Sequence, residues 1–221
     1  MSTVTGAVQD YAKAIYSLGA RENEPVSTSA LAGRLGVSAA SASAMVKRLS
    51  ELGLVTHEPY RGVELTARGR DVALGVLRHH RLLETYLAEQ LDVPWDRVHE
   101  EAEKLEHVIS EDLINRMAAK LQDPTHDPHG DPIPTADLAI DDAPTRSLDS
   151  LEAGERGTFV RVSDSDPEML RYLHERGIGI GDSFEVIERQ PFQGPLTVRF
   201  GKRSHVLGGA LAGAMRVGES S

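Results

Sequence analysis

Two groupings of histidine and carboxylate have the spacing to hold a cation. His80 and Glu84 stand four residues apart, and His99, Glu103, Glu106 and His107 recur at i, i+4, i+7 and i+8. On a helix each set shares one face. Ionisable side chains on a helix that must also pack are costly unless something neutralises them, and a divalent cation would do so. Asp10, one residue before the core-like Tyr11, offers a further carboxylate. The alternative is a solvated acidic face with incidental histidines, a description that fits Glu100 and Glu101. His126 and His129 are ligands by type, but they sit in DPTHDPHGDPIPT and read as structural or exposed. The chain has no cysteine, which excludes disulfides, thiolate metal sites and a cysteine nucleophile. Any metal must be held by His, Asp, Glu, backbone or water.

The 221 residues suffice for one large domain or two to three small ones. The net charge of −10 is concentrated in residues 76–140, which carry 14 Asp+Glu against 6 Lys+Arg and six of the nine histidines. The first third is near neutral and serine-rich, so it can still meet phosphate locally. No apolar run approaches the ~20 residues of a membrane span, and the N-terminus lacks the blocks of a signal peptide. The expectation is a soluble, cytoplasmic protein.

The elements that must position these residues follow from periodicity and caps. Helices are predicted over 6–19, 27–35 and 38–53, the last with Ser38 as N-cap, Gly53 as stop and Met45, Leu49 and Leu52 as its apolar stripe. Two β-prone runs, Leu54–His57 and Val63–Thr66, flank a Pro-Tyr-Arg-Gly turn and form a hairpin. Helix, helix, glycine turn, helix and wing is the winged helix-turn-helix arrangement, whose recognition helix lies in the major groove. Ser38, Ser41, Ser43, Lys47 and Arg48 are its candidate DNA contacts, with Tyr60 and Arg61 at the wing tip. A Ser/Ala-rich helix that merely solubilises a surface is the competing reading. Further helices are predicted from Arg68 to about Glu89, from Pro94 to about His107, and from Ser110 to about Leu121. Residues 123–135 hold four prolines and cannot be regular. From Gly157 the pattern is strand-like, interrupted by one short helix, Pro167–Glu175. The fold class expected is mainly α with a small β domain: a DNA-binding domain over 1–74, a helical metal-binding and dimerisation domain over 75–140, a linker over 141–154 and a β domain over 155–221.

The stretches DYAKAIY, RLGVSAASASAMVKRLSELGLV, GVELTARGR, RHHRLLETYL, VHEEAEKLEHVISE and DPHGDPIP resemble the DtxR/MntR family of metal-dependent bacterial repressors over nearly the whole chain. The tail after Gly157 is similar to that family's SH3-like, FeoA-like β-barrel. The resemblance implies a homodimer that binds double-stranded operator DNA when metal is bound, with no membrane, no small organic substrate and no enzymatic activity. It places a primary site at Asp10, Glu103, Glu106 and His107. An ancillary site falls at His80, Glu84 and His99, completed from Asp164–Glu168, with Asp166 the expected contributor. Iron-type members have Met at the Asp10 position and Cys at the Glu103 position. Both are carboxylates here, and oxygen donors suit Mn²⁺. Manganese is therefore the expected signal, with Fe²⁺ the alternative. The small manganese regulators carry a second first-helix carboxylate where this chain has Lys13, so a binuclear site is not expected. A dinuclear metallohydrolase and a winged-helix protein–protein module are the competing function classes. The chain shows no nucleophile and no Gly-rich phosphate loop to support the former.

Overall fold

The computed structural model describes residues 4–22, 24–58, 61–141, 143–192 and 194–218. The chain forms two compact units: Met1–His80 with Lys104–Ser110 and Pro134–Ala139, and Arg81–Glu103 with Glu111–Ile133 and Ile140–Ser221.

In the first unit, α1 (Gly6–Glu22) is followed by α2 (Thr28–Leu35) and α3 (Ala39–Glu51). The Ser27 hydroxyl caps α2 by accepting from the Ala30 amide at 3.1 Å, and Gly36, at φ +64°, ends it. Ser38 caps α3 in the same way, accepting from the Ser41 amide at 3.1 Å. Strands β1 (Val55–Glu58) and β2 (Gly62–Leu65) pair antiparallel from Val55↔Leu65 to Glu58↔Gly62 and form the expected wing. Val8, Tyr11, Ile15, Leu31, Val46, Leu49, Leu54 and Val63 make the core, against which α1 packs α2, α3 and β2. Two details differ from expectation. Gly19 lies inside α1 rather than ending it, a cost of about 1 kcal/mol set against the apolar face that α1 buries. In α3 the buried positions are Ala42, Val46 and Leu49, with Met45 and Leu52 only partly buried. The small Ala42 lets the recognition helix sit closer to its neighbours than the larger Met45 would, and the stripe turns accordingly.

Helix α4 (Ala67–Leu91) runs through both units. The second unit adds α5 (Val98–Leu105), of which residues up to Glu103 belong to it, and α6 (Glu111–Lys120). Helix α5 starts later than Pro94, because Trp95 turns aside to pack against the β core. The β part consists of β3 (Arg146–Ser147), a 3-10 turn (Leu148–Ser150), β4 (Arg156–Val162), α7 (Pro167–Glu175), β5 (Ser183–Arg189), β6 (Leu196–Phe200), β7 (Arg203–Leu207), α8 (Gly209–Ala214) and β8 (Met215–Gly218). The strands form one antiparallel sheet in the order β3-β8-β4-β5-β6-β7. Among the described residues β3 and β7 are its free ends, so the sheet is open where a closed barrel was expected. At two residues, β3 offers too short an edge to carry a second ladder that would close the sheet. The stretch expected as a linker contributes β3 and the core residues Leu148 and Leu151, so residues 146–151 are built into the β part. The Gly/Ala-rich tail that forms α8 and β8 carries little periodicity in sequence.

The proline-rich segment is irregular but fixed. Asp127 accepts from the amides of His129 and Asp131 at 2.8 and 3.0 Å, and the Val162 amide donates to the His129 carbonyl at 2.9 Å. Gly130, at φ +85°, passes so close to β4 that an added Cβ would lie 1.9 Å from the Val160 carbonyl oxygen. Only glycine fits there. Gly130→Ala is expected to destabilise the second unit by at least about 1–3 kcal/mol, as a fall in the urea midpoint. An unchanged midpoint would mean the loop does not approach β4 in this way.

Candidate metal centres

The first unit brings Asp10, Glu106 and His107 together, with one donor atom from each within 4.8 Å of the others. His107 Nε2 lies 2.8 Å from Asp10 Oδ1 and 3.3 Å from Glu106 Oε1. Its Nδ1 lies 2.8 Å from Gln9 Oε1. The amide oxygen can only accept, so Nδ1 donates to it, and Nε2 is the nitrogen that faces the two carboxylates and would ligate an ion. Two carboxylates and an imidazole nitrogen converging on one point form a donor set that fits a divalent cation. Gly6 leaves the room: an added Cβ would lie 3.3 Å from the His107 ring. Glu106 has no exposed side-chain surface, and Lys13 Nζ donates to its Oε1 at 2.6 Å while His80 Nδ1 lies 2.5 Å from its Oε2. Burial works against its charge, but His80 and Lys13 outweigh burial and hold its pKa below the ordinary carboxylate range. Of the expected primary set, Glu103 is not among the donors that meet at Asp10, Glu106 and His107; it is half-exposed, with its carboxylate 3.9 Å from His99 Nε2, one turn earlier on α5.

The second unit holds a second constellation. His99 Nδ1 lies 2.9 Å from Asp164 Oδ2 and 3.3 Å from Glu84 Oε1. Asp164, not Asp166, therefore reaches His99. Asp166 caps α7, accepting from the Glu168 and Met169 amides at 2.9 and 3.4 Å, which fixes its carboxylate at the helix end. Glu84, Asp127 and His129 form a fully buried trio. His129 Nε2 lies 2.8 Å from the Trp95 carbonyl oxygen, so this nitrogen donates, and the buried Nδ1 is left as a lone pair with no hydrogen-bond partner, 3.9 Å from Glu84 Oε2. An orphaned imidazole lone pair, its tautomer fixed by a backbone carbonyl and facing carboxylates, fits a divalent cation. Burial, then the nearby Glu84 and Asp131 charges, push the Asp127 pKa well up, which is the cost such an ion would relieve. In the sequence Asp127 has no ligand signal, His129 reads as structural or exposed, and Asp164 stands within the expected Asp164–Glu168 stretch but not as its chosen residue. The available signal was the D-P-H-G-D spacing, whose fixed glycine implies a built turn rather than a loose one.

Of the candidate DNA contacts, Ser41, Ser43, Lys47 and Arg48 are exposed on α3, as is Arg61 by the wing. Ser38 is committed to its cap and to Ser41 Oγ at 2.9 Å. Tyr60 lies outside the described residues.

Burial works against charge on His99, but its hydrogen bonds to Asp164 and Glu84 outweigh that and push its pKa up to about 10 from 6.5. Asp164, despite burial, is drawn down to about 2 from 3.8 by His99. The raised His99 pKa contributes stability that is complete below pH 6.5 and lost as pH rises toward 10. The lowered Asp164 pKa contributes stability that is complete above pH 3.8 and lost as pH falls toward 2. In chelator-treated protein the thermal midpoint is expected to fall above pH 6.5, with a slope that His99→Gln reduces. Parallel profiles for the two proteins would show that the pair does not form.

Three family models match the chain. They are the N-terminal DNA-binding domain of iron-dependent repressors over residues 3–63, their metal-binding and dimerisation domain over 66–135, and the FeoA domain over 146–218. The chain is 31% identical to the iron-dependent repressor IdeR of Mycobacterium tuberculosis, over 98% of this chain and 99% of that protein. It is 33% identical to the diphtheria toxin repressor of Corynebacterium efficiens, over 86% of each. Among solved structures it is similar to a manganese-dependent transcriptional repressor in complex with manganese, at 44% identity, TM-score 0.89 and coverage of 96% and 99% of the two chains. It is also similar to the manganese regulator SloR, at 30% identity, TM-score 0.79 and coverage of 96% and 98%.

Proposed function

The chain belongs to the DtxR family of metal-dependent transcriptional repressors, and on that premise we propose that it represses transcription as an operator-binding homodimer activated by Mn²⁺. The observation that carries the reading is the convergence of Asp10 Oδ1, Glu106 Oε1 and His107 Nε2 in a setting of oxygen donors. Oxygen-rich sets favour Mn²⁺ over softer ions. A divalent ion would supply the positive charge that these acceptors otherwise share with protons and Lys13. Asp10, Glu106 and His107 hold it, with Glu103 the further carboxylate of the expected set. Glu84, His99, Asp127, His129 and Asp164 provide donors for a second ion. Iron(II) is the second reading, favoured by the full-length likeness to iron-dependent repressors.

Asp10 lies on α1, the helix that packs α2, α3 and β2. Fixing Asp10 to Glu106 and His107 therefore fixes the body that carries the recognition helix. Ser41, Ser43, Lys47, Arg48 and Arg61 are the exposed candidates for contact with DNA. The segment matched by the dimerisation model exposes Leu91, Leu105, Val108 and Leu113, Val108 to 78%. A homodimer would present two recognition helices to operator half-sites one DNA turn, about 34 Å, or a multiple apart. No described helix is long and apolar enough to cross a membrane.

The test is DNA selected from a random pool, with binding followed by anisotropy at fixed salt while Mn²⁺ or, anaerobically, Fe²⁺ is titrated. Mn²⁺ is expected to tighten binding by roughly 5–150-fold, and Asp10→Ala is expected to abolish that gain without loss of fold. Lys47→Ala is expected to weaken binding to all sequences alike and to lower the salt slope by about 1. An equal or stronger response to Fe²⁺ would overturn the manganese assignment. DNA binding indifferent to every metal would overturn the sensor.

A further inference from the structure

Lys13 is one turn beyond Asp10 on α1, and its ammonium lies 2.6 Å from Glu106 Oε1, an oxygen that is also 3.3 Å from His107 Nε2. The other Glu106 oxygen is taken by His80 at 2.5 Å. The only carboxylate oxygen that Glu106 turns toward Asp10 and His107 is thus also the oxygen that Lys13 holds. The Lys13 side chain is 16% exposed and that of Glu106 is fully buried, so the contact is largely shielded from water. We propose that Lys13 is a built-in competitor for the metal: its ammonium and the divalent ion claim the same oxygen, and the lysine sets the metal affinity of this site below what its ligands alone would give.

The physical argument is one of charge and room. A single positive charge a few ångströms from a divalent ion, partly screened from solvent, opposes binding. Before Glu106 Oε1 can face an ion fully, the ammonium must give up a charge-assisted hydrogen bond, among the stronger kind. Lys13 also neutralises Glu106 when no ion does so, which spares α1 a bare buried carboxylate. A sensor gains from both effects. The site stays intact at low metal, and its response moves to higher metal concentration. This inference rests on the reading of Asp10, Glu106 and His107 as a cation site.

The test uses the full-length chain stripped of metal and titrated with Mn²⁺, with free Mn²⁺ followed by its electron paramagnetic resonance signal. Asp10→Ala identifies the transition that belongs to this site. Fluorescence of Trp95, the single tryptophan, whose ring stacks on His129 at 6.0 Å, reports the second constellation independently. Lys13→Gln, which removes the charge and keeps a hydrogen-bond donor, is expected to tighten the Asp10-dependent transition on the order of ten- to a hundred-fold and to leave the Trp95 transition in place. Lys13→Arg, which keeps the charge, is expected to stay near wild type. An unchanged or weaker Asp10-dependent affinity in Lys13→Gln overturns the proposal while leaving the metal site standing. A wild-type chain with no Asp10-dependent Mn²⁺ binding overturns both. A measurement that needs no variant guards against misfolding: amine acetylation read by mass spectrometry. Lys13 is expected to label faster with Mn²⁺ than without it, and labelling unchanged or slowed by Mn²⁺ contradicts the competition.

Discussion

A carboxylate with no exposed surface must be matched by positive charge or by donors, and Glu106 is matched from two sides, by Lys13 and His80. Leaving it with neither would cost several kcal/mol. Much of the first unit is arranged around this one requirement. Helix α1 supplies Lys13 and Asp10, α4 supplies His80, and the segment after α5 supplies Glu106 and His107. The DNA-binding helices hang on α1, so a change in how Glu106 is neutralised acts on the element that orients the recognition helix. The apolar core of Val8, Tyr11, Ile15, Leu31 and Leu49 involves none of these groups. The winged helix can therefore hold its own shape whatever cation the site holds.

The second unit solves the same problem with different parts. Glu84 and Asp127 are buried beside His129, and His99 bridges Glu84 to Asp164. What makes the arrangement possible is backbone rather than side chain. The turn at Gly130 runs against β4, the Trp95 carbonyl fixes the His129 tautomer, and the strand end after β4 delivers Asp164. A proline-rich segment with no regular structure thus becomes one of the more tightly determined parts of the chain.

The helices, the wing and the main strands were legible in the sequence because caps and periodicity are local. Ser27, Ser38, Gly36 and Pro167 mark ends whatever the tertiary context. Asp10, Glu106 and His107 were legible as a set through the resemblance to known repressors, since nothing local relates residue 10 to residue 106. Asp164 was hidden behind Asp166, because an aspartate before Pro167 is a good cap and a good ligand alike, and only the fold decides that one carboxylate caps while its neighbour two residues back reaches His99. His129 reads in the sequence as structural or exposed, since burial of a proline-rich turn against a distant strand leaves no periodic trace. The open ends of the β sheet and the short β3 were likewise beyond sequence, because a two-residue strand exists only by virtue of its partner.

The central claim is that a cation at Asp10, Glu106 and His107 ties α1 down and with it the DNA-binding body. Amide hydrogen exchange of α1, residues 6–22, measured with and without Mn²⁺ in the wild type and in Asp10→Asn, tests it most directly. The account predicts slower exchange along α1 with Mn²⁺ in the wild type and no such slowing in the variant. Equal exchange in the wild type with and without Mn²⁺, under conditions where the ion is bound, would contradict it.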